Sequence, residues 1–202
     1  MKYYSMKIRC PWVNDDPLII QYHDKEWGVP IHDSCLLFEF LILEGAQAGL
    51  SWSTILRKRN NYRLAFDNFE PEKVASYNDQ KIEELRQNPG IVRNKLKISA
   101  TVANAKAFLK IQEEFNSFDS YIWKFVKGKP ITNRWKDLSE IPSYTSESKE
   151  MSLNLKKRGF KFIGPTICYA FMQAVGMVND HTVDCFRHSE ILKLNEKRSN
   201  KL

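Results

Sequence analysis

The sequence predicts an all-α protein, and three observations carry that reading. Apolar residues recur at three- and four-residue spacing through most of the chain. Those segments open on Asp, Ser or Pro and close on Gly, residue types that start and stop helices. Alternating strand patterns are scarce and short, and there is neither an internal repeat nor a low-complexity tract.

Taken in order, Cys10-Pro-Trp-Val-Asn-Asp-Asp-Pro17 reads as irregular, with turn chemistry at Asn14–Pro17. Leu18–Trp27 suits a short helix closed by Gly28 at its C′ position. Asp33 or Ser34 caps an apolar helix running toward Gly45, with Leu36, Leu37, Phe40, Leu41 and Glu44 on one side. After a break at 46–50, Ser51 caps a helix over Trp52–Phe66 that carries the basic cluster Arg57-Lys58-Arg59. Short helices follow over Pro71–Ser76 and Asp79–Gln87, and Asn88-Pro-Gly90 breaks the chain. A long amphipathic helix covers about Arg93–Phe115, with Ile98, Val102, Ala105 and Leu109 on one stripe. Ser117 or Asp119 starts a helix containing Tyr121, Ile122, Phe125 and Val126, ended by Gly128-Lys-Pro130. The polar stretch 131–147 reads as a loop between lobes, and Ser148–Arg158 and Pro165–Val175 as a helix pair. After His188 the basic tail should fray.

A chain of 202 residues suits one domain or two small lobes and can bury a substantial core. Its 43% hydrophobic and 27% charged residues are ordinary for a soluble globular protein. Thirty-one Lys and Arg against 24 Asp and Glu leave a net charge of +7, which favours a polyanionic partner. No apolar run is long enough to cross a bilayer, and the lead MKYYSMKIRC lacks the apolar core of a secretory signal. The expected location is therefore cytoplasmic, where Cys10, Cys35, Cys168 and Cys185 are free or metal-bound thiols.

Arg158–Cys185 concentrates the chemistry. Gly159-Phe-Lys-Phe-Ile-Gly164 is a glycine-bounded basic turn, and Pro165 suits the first position of the following helix. Backbone amides at Gly164 and the next helical turn, with Lys161 beside them, suit a phosphate; a plain helix C-cap with solvated lysines is the alternative. His181 and Cys185 stand at i,i+4 spacing, which would place them on one helix face. With Cys10 and His23 they form a Cys2His2 set for a closed, structural Zn²⁺ that would tie the N-terminus to a C-terminal helix. From spacing alone, a buried Cys, a capping His and two coincidences are the alternative reading. Cys35 and Cys168 sit in apolar patterns and suit the core. Trp12, Tyr22, Trp27 and Trp52 lie beside irregular, glycine-rich segments, and Glu44 ends an apolar helix where its carboxyl would be partly desolvated.

Arg9-Cys-Pro-Trp12, Tyr22-His-Asp-Lys-Glu-Trp-Gly-Val-Pro30, Leu43-Glu-Gly-Ala-Gln-Ala-Gly-Leu-Ser-Trp52, Lys157-Arg-Gly-Phe-Lys-Phe-Ile-Gly164 and Asn179-Asp-His181 with Cys185 resemble the bacterial 3-methyladenine DNA glycosylase I family. The likeness runs from Arg9 to Arg187 with the motifs in order. It implies a helix-hairpin-helix glycosylase fold that flips 3-methyladenine from duplex DNA and hydrolyses its N-glycosidic bond. It also implies one structural Zn²⁺ on Cys10, His23, His181 and Cys185, joining the N- and C-terminal segments. Glu44 would meet the adenine edge, Tyr22 and Trp52 would line the base pocket, and Trp12 and Trp27 would lie nearby. Leu50, after Gly49, becomes a candidate wedge, and Lys161, Gly164 and Thr166 become DNA contacts.

The implied organisation is an extension over 1–8, a monomeric glycosylase unit of two lobes over 9–187 with the pocket between them, and a tail over 188–202. Many helix-hairpin-helix glycosylases carry a catalytic Asp where Asn179 stands here, and the lyase-type members carry a Lys near Pro165-Thr166. The departure implies a monofunctional enzyme without strand cleavage. The competing reading is a non-enzymatic, zinc-stapled DNA-binding module; a zinc hydrolase would need an open coordination position that four ligands do not leave.

Overall fold

Helix starts follow local capping chemistry almost everywhere in the computed structural model, which describes residues 7–199. Helix α1 (Pro17–Lys25) opens on Pro17, with the Asp16 side chain accepting from the Leu18 amide at 3.0 Å. Asp33 is the cap of α2 (Ser34–Gln47), accepting from Leu36 N at 2.9 Å. Ser51 caps α3 (Trp52–Ala65), and α4 (Pro71–Ala75) and α5 (Asp79–Gln87) begin at the expected residues, with Asn78 capping α5. Asn94 caps the long α6 (Lys95–Phe115), which ends on left-handed Asn116 at φ 65°. Ser117 caps α7 (Phe118–Ile122), and a 3₁₀ turn over Trp123–Val126 follows. Among the described residues no helix is long and apolar enough to cross a membrane.

α2 is the central element. The predicted apolar side becomes burial all round, since every residue from Leu37 to Ala46 is buried, while Leu36 in the first turn is 38% exposed. Contacts with α3, α6 and α9 surround it. One consequence is that Glu39 is buried and needs a cation. Arg59 turns inward from the expected basic cluster to pair with Glu39, and also meets Glu26 at 2.5 Å; Arg63 reaches Glu39 at 2.8 Å. This network ties α1, α2 and α3 together.

The stretch 131–147 is more ordered than the expected loop. β1 (Ile131–Thr132) pairs in parallel with β2 (Val178–Asn179), a two-residue ladder that qualifies the all-α expectation, and a 3₁₀ turn covers Leu138–Glu140. Helix α8 (Ser146–Lys157) starts with a capping box between Thr145 and Ser148, and α9 (Pro165–Ala174) starts at Pro165. The turn between them is held from outside. Asn104 on α6 accepts from Lys161 N at 2.8 Å and donates to Lys161 O at 3.1 Å, while Ser152 donates to Ile163 O at 2.5 Å.

Two expectations about the C-terminus fail. His181 and Cys185 do not share a helix face: they lie in a turn before α10 (Phe186–Ser199), shaped by Asn179 Oδ1 accepting from His181 N and by Cys185 N bonding Thr182 O. The segment after His188 is helical through Ser199, with Ile191 buried against the core. Of the expected extension 1–8, residues 1–6 lie outside the described residues, as do 200–202 of the tail. Ile8 O accepts from Phe186 N at 2.9 Å, so this end is tied to α10.

The ends of the described chain meet along a seam. Gly28 N donates to Gln173 O and Ile31 N to Val175 O, both at 3.1 Å. Gly176, at φ +70°, lies so close that an added Cβ would overlap the backbone of Val29 and Pro30. Gly176→Ala is therefore expected to lower unfolding free energy by roughly 2–4 kcal/mol, through strain and overpacking together, as measured by urea denaturation.

Candidate active site and metal centre

Glu44, Tyr22, Trp52, Trp12 and Trp27, singled out in the sequence, line one cavity of about 220 Å³. Four elements deliver them: the segment before α1, α1 with its C-terminal turn, and the facing ends of α2 and α3. Tyr22 and Trp52 face one another at 5.3 Å between ring centroids, and Trp12 meets Trp27 edge-on at 5.0 Å. Sequence reasoning missed Gln47, Ile141, Ala170 and Gln173 in the same wall. Gln47 was within reach, because it follows Glu44 by three residues on one helix. Ala170 and Gln173 share that spacing on α9, yet only tertiary packing brings α9 beside α2; Ile141 carried no signal in its polar stretch.

Two features mark the cavity as a place for a polar, flat ligand. The Tyr22 hydroxyl and the Trp52 indole N–H are buried without hydrogen-bond partners among the described residues. Glu44 is 3% exposed, and no hydrogen bond or ion pair to it is found among the described residues. Burial alone pushes its carboxyl up from 4.5 to about 8. Glu44 is therefore mostly protonated at neutral pH.

Cys10, His23, His181 and Cys185 form a second, adjacent group, all buried and with ligand atoms within 4.8 Å of one another, able to hold a metal ion. Cys10 Sγ lies 3.4 Å from His181 Nδ1, and Cys185 Sγ lies 3.4 Å from His23 Nε2 and 3.6 Å from His181 Nδ1. The outer nitrogen of each ring is engaged. His23 Nδ1 meets Asp24 at 2.8 Å, itself gripped by Arg9 at 2.7 Å, and His181 Nε2 meets Trp27 O at 3.1 Å. That arrangement turns a bare nitrogen of each imidazole toward the two sulfurs. The hydrogen bond with Cys10 drives the Cys185 thiol down, while Cys10 goes up.

The residues expected near DNA are on the surface. Gly49 has φ +78°, and Leu50 beyond it is 41% exposed. Lys97 holds the base of that loop, donating to Ala46 O at 2.8 Å and Ala48 O at 2.6 Å, and so capping the C-terminus of α2. Lys161 and Thr166 are exposed around Gly164, the N-cap of α9. Asn179 is fully buried, donating to His188 O at 3.1 Å. Its neighbour Asp180 is equally buried, off any helix, and saturated by Asn133, Trp135, Tyr169 and Gln173.

Since Glu44 keeps a proton that the unfolded chain has lost between pH 4.5 and about 8, stability should fall as pH rises through that window. Glu44→Gln is expected to be more stable than the parent by roughly 2–4 kcal/mol at pH 8.5, with the advantage shrinking toward pH 5. Chemical denaturation across the range checks both.

A model of the methyladenine glycosylase family matches residues 12–188. The DNA-3-methyladenine glycosylase 1 of Escherichia coli (strain K12) is 53% identical over 177 residues, covering 88% of this chain and 95% of the relative. A crystal structure of 3-methyladenine DNA glycosylase I superposes with TM-score 0.87 at 51% identity, covering 89% of this chain and 98% of the other. A point variant of 3-methyladenine DNA glycosylase I, solved in complex with 3-methyladenine, gives TM-score 0.86 at 39% identity, covering 88% and 96%. With a family model spanning most of its length and relatives above half identity, the chain belongs to the methyladenine glycosylase family.

Proposed function

We propose that the chain is a DNA glycosylase that takes 3-methyladenine, flipped from duplex DNA, into the Glu44 cavity and hydrolyses its N-glycosidic bond. The observation that carries this reading is Glu44, a buried, partnerless carboxyl in an aromatic cavity, inside a chain of this family. Methylation at N3 makes the base cationic, so it departs neutral and needs little acid catalysis. What the protein supplies is selective capture. Tyr22 and Trp52 offer π faces worth about 0.5–2 kcal/mol more to a cation than to neutral adenine. The positive base draws the Glu44 pKa down, and the resulting carboxylate accepts from the base edge. Flipping costs a few kcal/mol and is cheapest for a damaged base; Leu50 fills the vacated stack.

The α8–turn–α9 unit reads as the helix-hairpin-helix element. Pro165 has no N–H, so the first free amides of α9 start at Thr166, beside Lys161, where a phosphate would sit. No lysine follows Gly164, which supports a monofunctional enzyme, acting as a monomer in the cytoplasm. A DNA-binding module without enzymatic activity has no use for a partnerless carboxyl among aromatic rings.

We infer that the four-donor cluster holds structural Zn²⁺. Tetrahedral zinc with Zn–S about 2.3 Å and Zn–N about 2.0–2.1 Å sets sulfur–nitrogen edges of about 3.5 Å, and three pairs here stand at 3.4–3.6 Å. Four protein donors leave no open position, so the ion would supply rigidity and no hydrolytic chemistry.

Incubation with methylated duplex DNA should release 3-methyladenine, identified by chromatography, with no borohydride-trapped protein–DNA adduct. Release of no base, or a trapped adduct, would overturn the corresponding part of the reading. Glu44→Gln should cut single-turnover excision by about 10²-fold or more while duplex affinity changes little. Metal analysis of freshly purified protein should find about one zinc per chain, and Cys185→Ser should lower thermal stability more than the excision rate of the folded fraction.

A further inference from the structure

Gln173 on α9 lines the Glu44 cavity, and its side chain is only half used by the fold. Its Nε2 donates to Asp180 Oδ2 at 2.8 Å. Asp180 presents only acceptors, so the NH₂ end of the amide must face it, and the flip state of Gln173 is set. Asp180 itself cannot swing away. It is 1% exposed, Oδ2 also accepts from Tyr169 at 2.6 Å, and Oδ1 accepts from Asn133 at 2.6 Å and Trp135 at 2.8 Å. The Gln173 backbone is pinned too, its carbonyl accepting from Gly28 N at 3.1 Å. What remains is Oε1, an acceptor with no partner among the described residues, on a side chain that forms the cavity wall.

Besides the Gln47 amide, the other polar groups of the cavity wall are chiefly donors. The Tyr22 hydroxyl and Trp52 N–H are unpartnered, and Glu44 carries a proton near neutral pH. A purine with an exocyclic amine brings further N–H groups and needs acceptors that are present before Glu44 ionises. We propose that Gln173 is a specificity-determining residue whose Oε1 accepts a hydrogen bond from the exocyclic amine of the bound base, with Asp180 as the positioning residue that keeps this oxygen turned outward from the core. The proposal rests on reading the cavity as the base site. Because an amide does not titrate, this acceptor is unaffected by the pH that switches Glu44. An oxo-purine, with a carbonyl in place of the amine, would set oxygen against oxygen and be disfavoured.

The test is equilibrium binding of free 3-methyladenine, read by quenching of the tryptophans that line the cavity, on the full chain and two variants. Gln173→Met keeps length and volume but removes the acceptor, and also takes one donor from Asp180. Asn133→Ala takes a different donor from Asp180 and leaves Gln173 in place. Gln173→Met is expected to weaken binding by about ten-fold, the size of one hydrogen bond, with Asn133→Ala within about two-fold of the parent. Equal weakening by both variants would assign Gln173 a purely structural role and overturn the proposal, as would unchanged binding by Gln173→Met. Should Gln173→Met fail to fold, the parent chain still decides. It should bind 3-methylhypoxanthine about ten-fold more weakly than 3-methyladenine, and equal affinity would overturn the proposal. A parent chain that binds neither base would instead overturn the base-site reading itself.

Discussion

A buried carboxylate must find donors, and the way Asp180 finds four of them orders much of this molecule. Asn133 and Trp135 are drawn from the polar stretch after β1, Tyr169 and Gln173 from α9, and Asp180 itself stands between β2 and the turn that carries His181 and Cys185. One side chain therefore fixes three chain segments with no element of regular structure large enough to do so. The two-residue β1–β2 ladder is short because it needs no more: the polar hub beside it completes the attachment.

Glu44 is the counterpart. It is as buried as Asp180, yet the fold gives it no donor at all. Two carboxyls buried alike thus differ by their partners and not by their depth. Glu39 makes the same point from α2, where Arg59 and Arg63 neutralise it five residues before Glu44. The Cys10, His23, His181 and Cys185 cluster adjoins the cavity through its aromatic walls. Trp27 packs edge-on against His181 at 4.6 Å and Trp12 against His23 at 5.3 Å, so imidazoles facing the sulfurs on one side support cavity aromatics on the other. Four side chains outside the cavity thus decide where two of its walls stand.

Much of this was legible locally. Asp16-Pro17, Asp33, Ser51 and Pro165 announce helices because capping is settled within a few residues of sequence. The cavity set of Trp12, Tyr22, Trp27, Glu44 and Trp52 stood out for the same reason, lying at the ends of elements where apolar stripes stop. What was illegible depended on distant partners. Arg59 read only as part of a basic cluster although Glu39 draws it inward, and Leu36 read as part of the apolar side although the first turn of α2 reaches the surface. His181 and Cys185 carried helical spacing, but Asn179 and Thr182 bend that segment into a turn. Gln173 was hidden because its role needs Asp180 behind it and α2 in front.

The seam between the two ends has a consequence for biosynthesis. Cys10 and His181 are 171 positions apart, and a chain made at about 5–20 residues per second separates their appearance by roughly 10–35 s. Through that interval the early thiol and imidazole have no late partners, and Trp12 and Trp27 have no His181 turn to rest on. Helices α2 to α7 contact one another and can form while synthesis continues. The cavity cannot. Until Gln173 and the His181 turn have been made, the chain carries the buried helix with Glu44 but not a finished pocket around it.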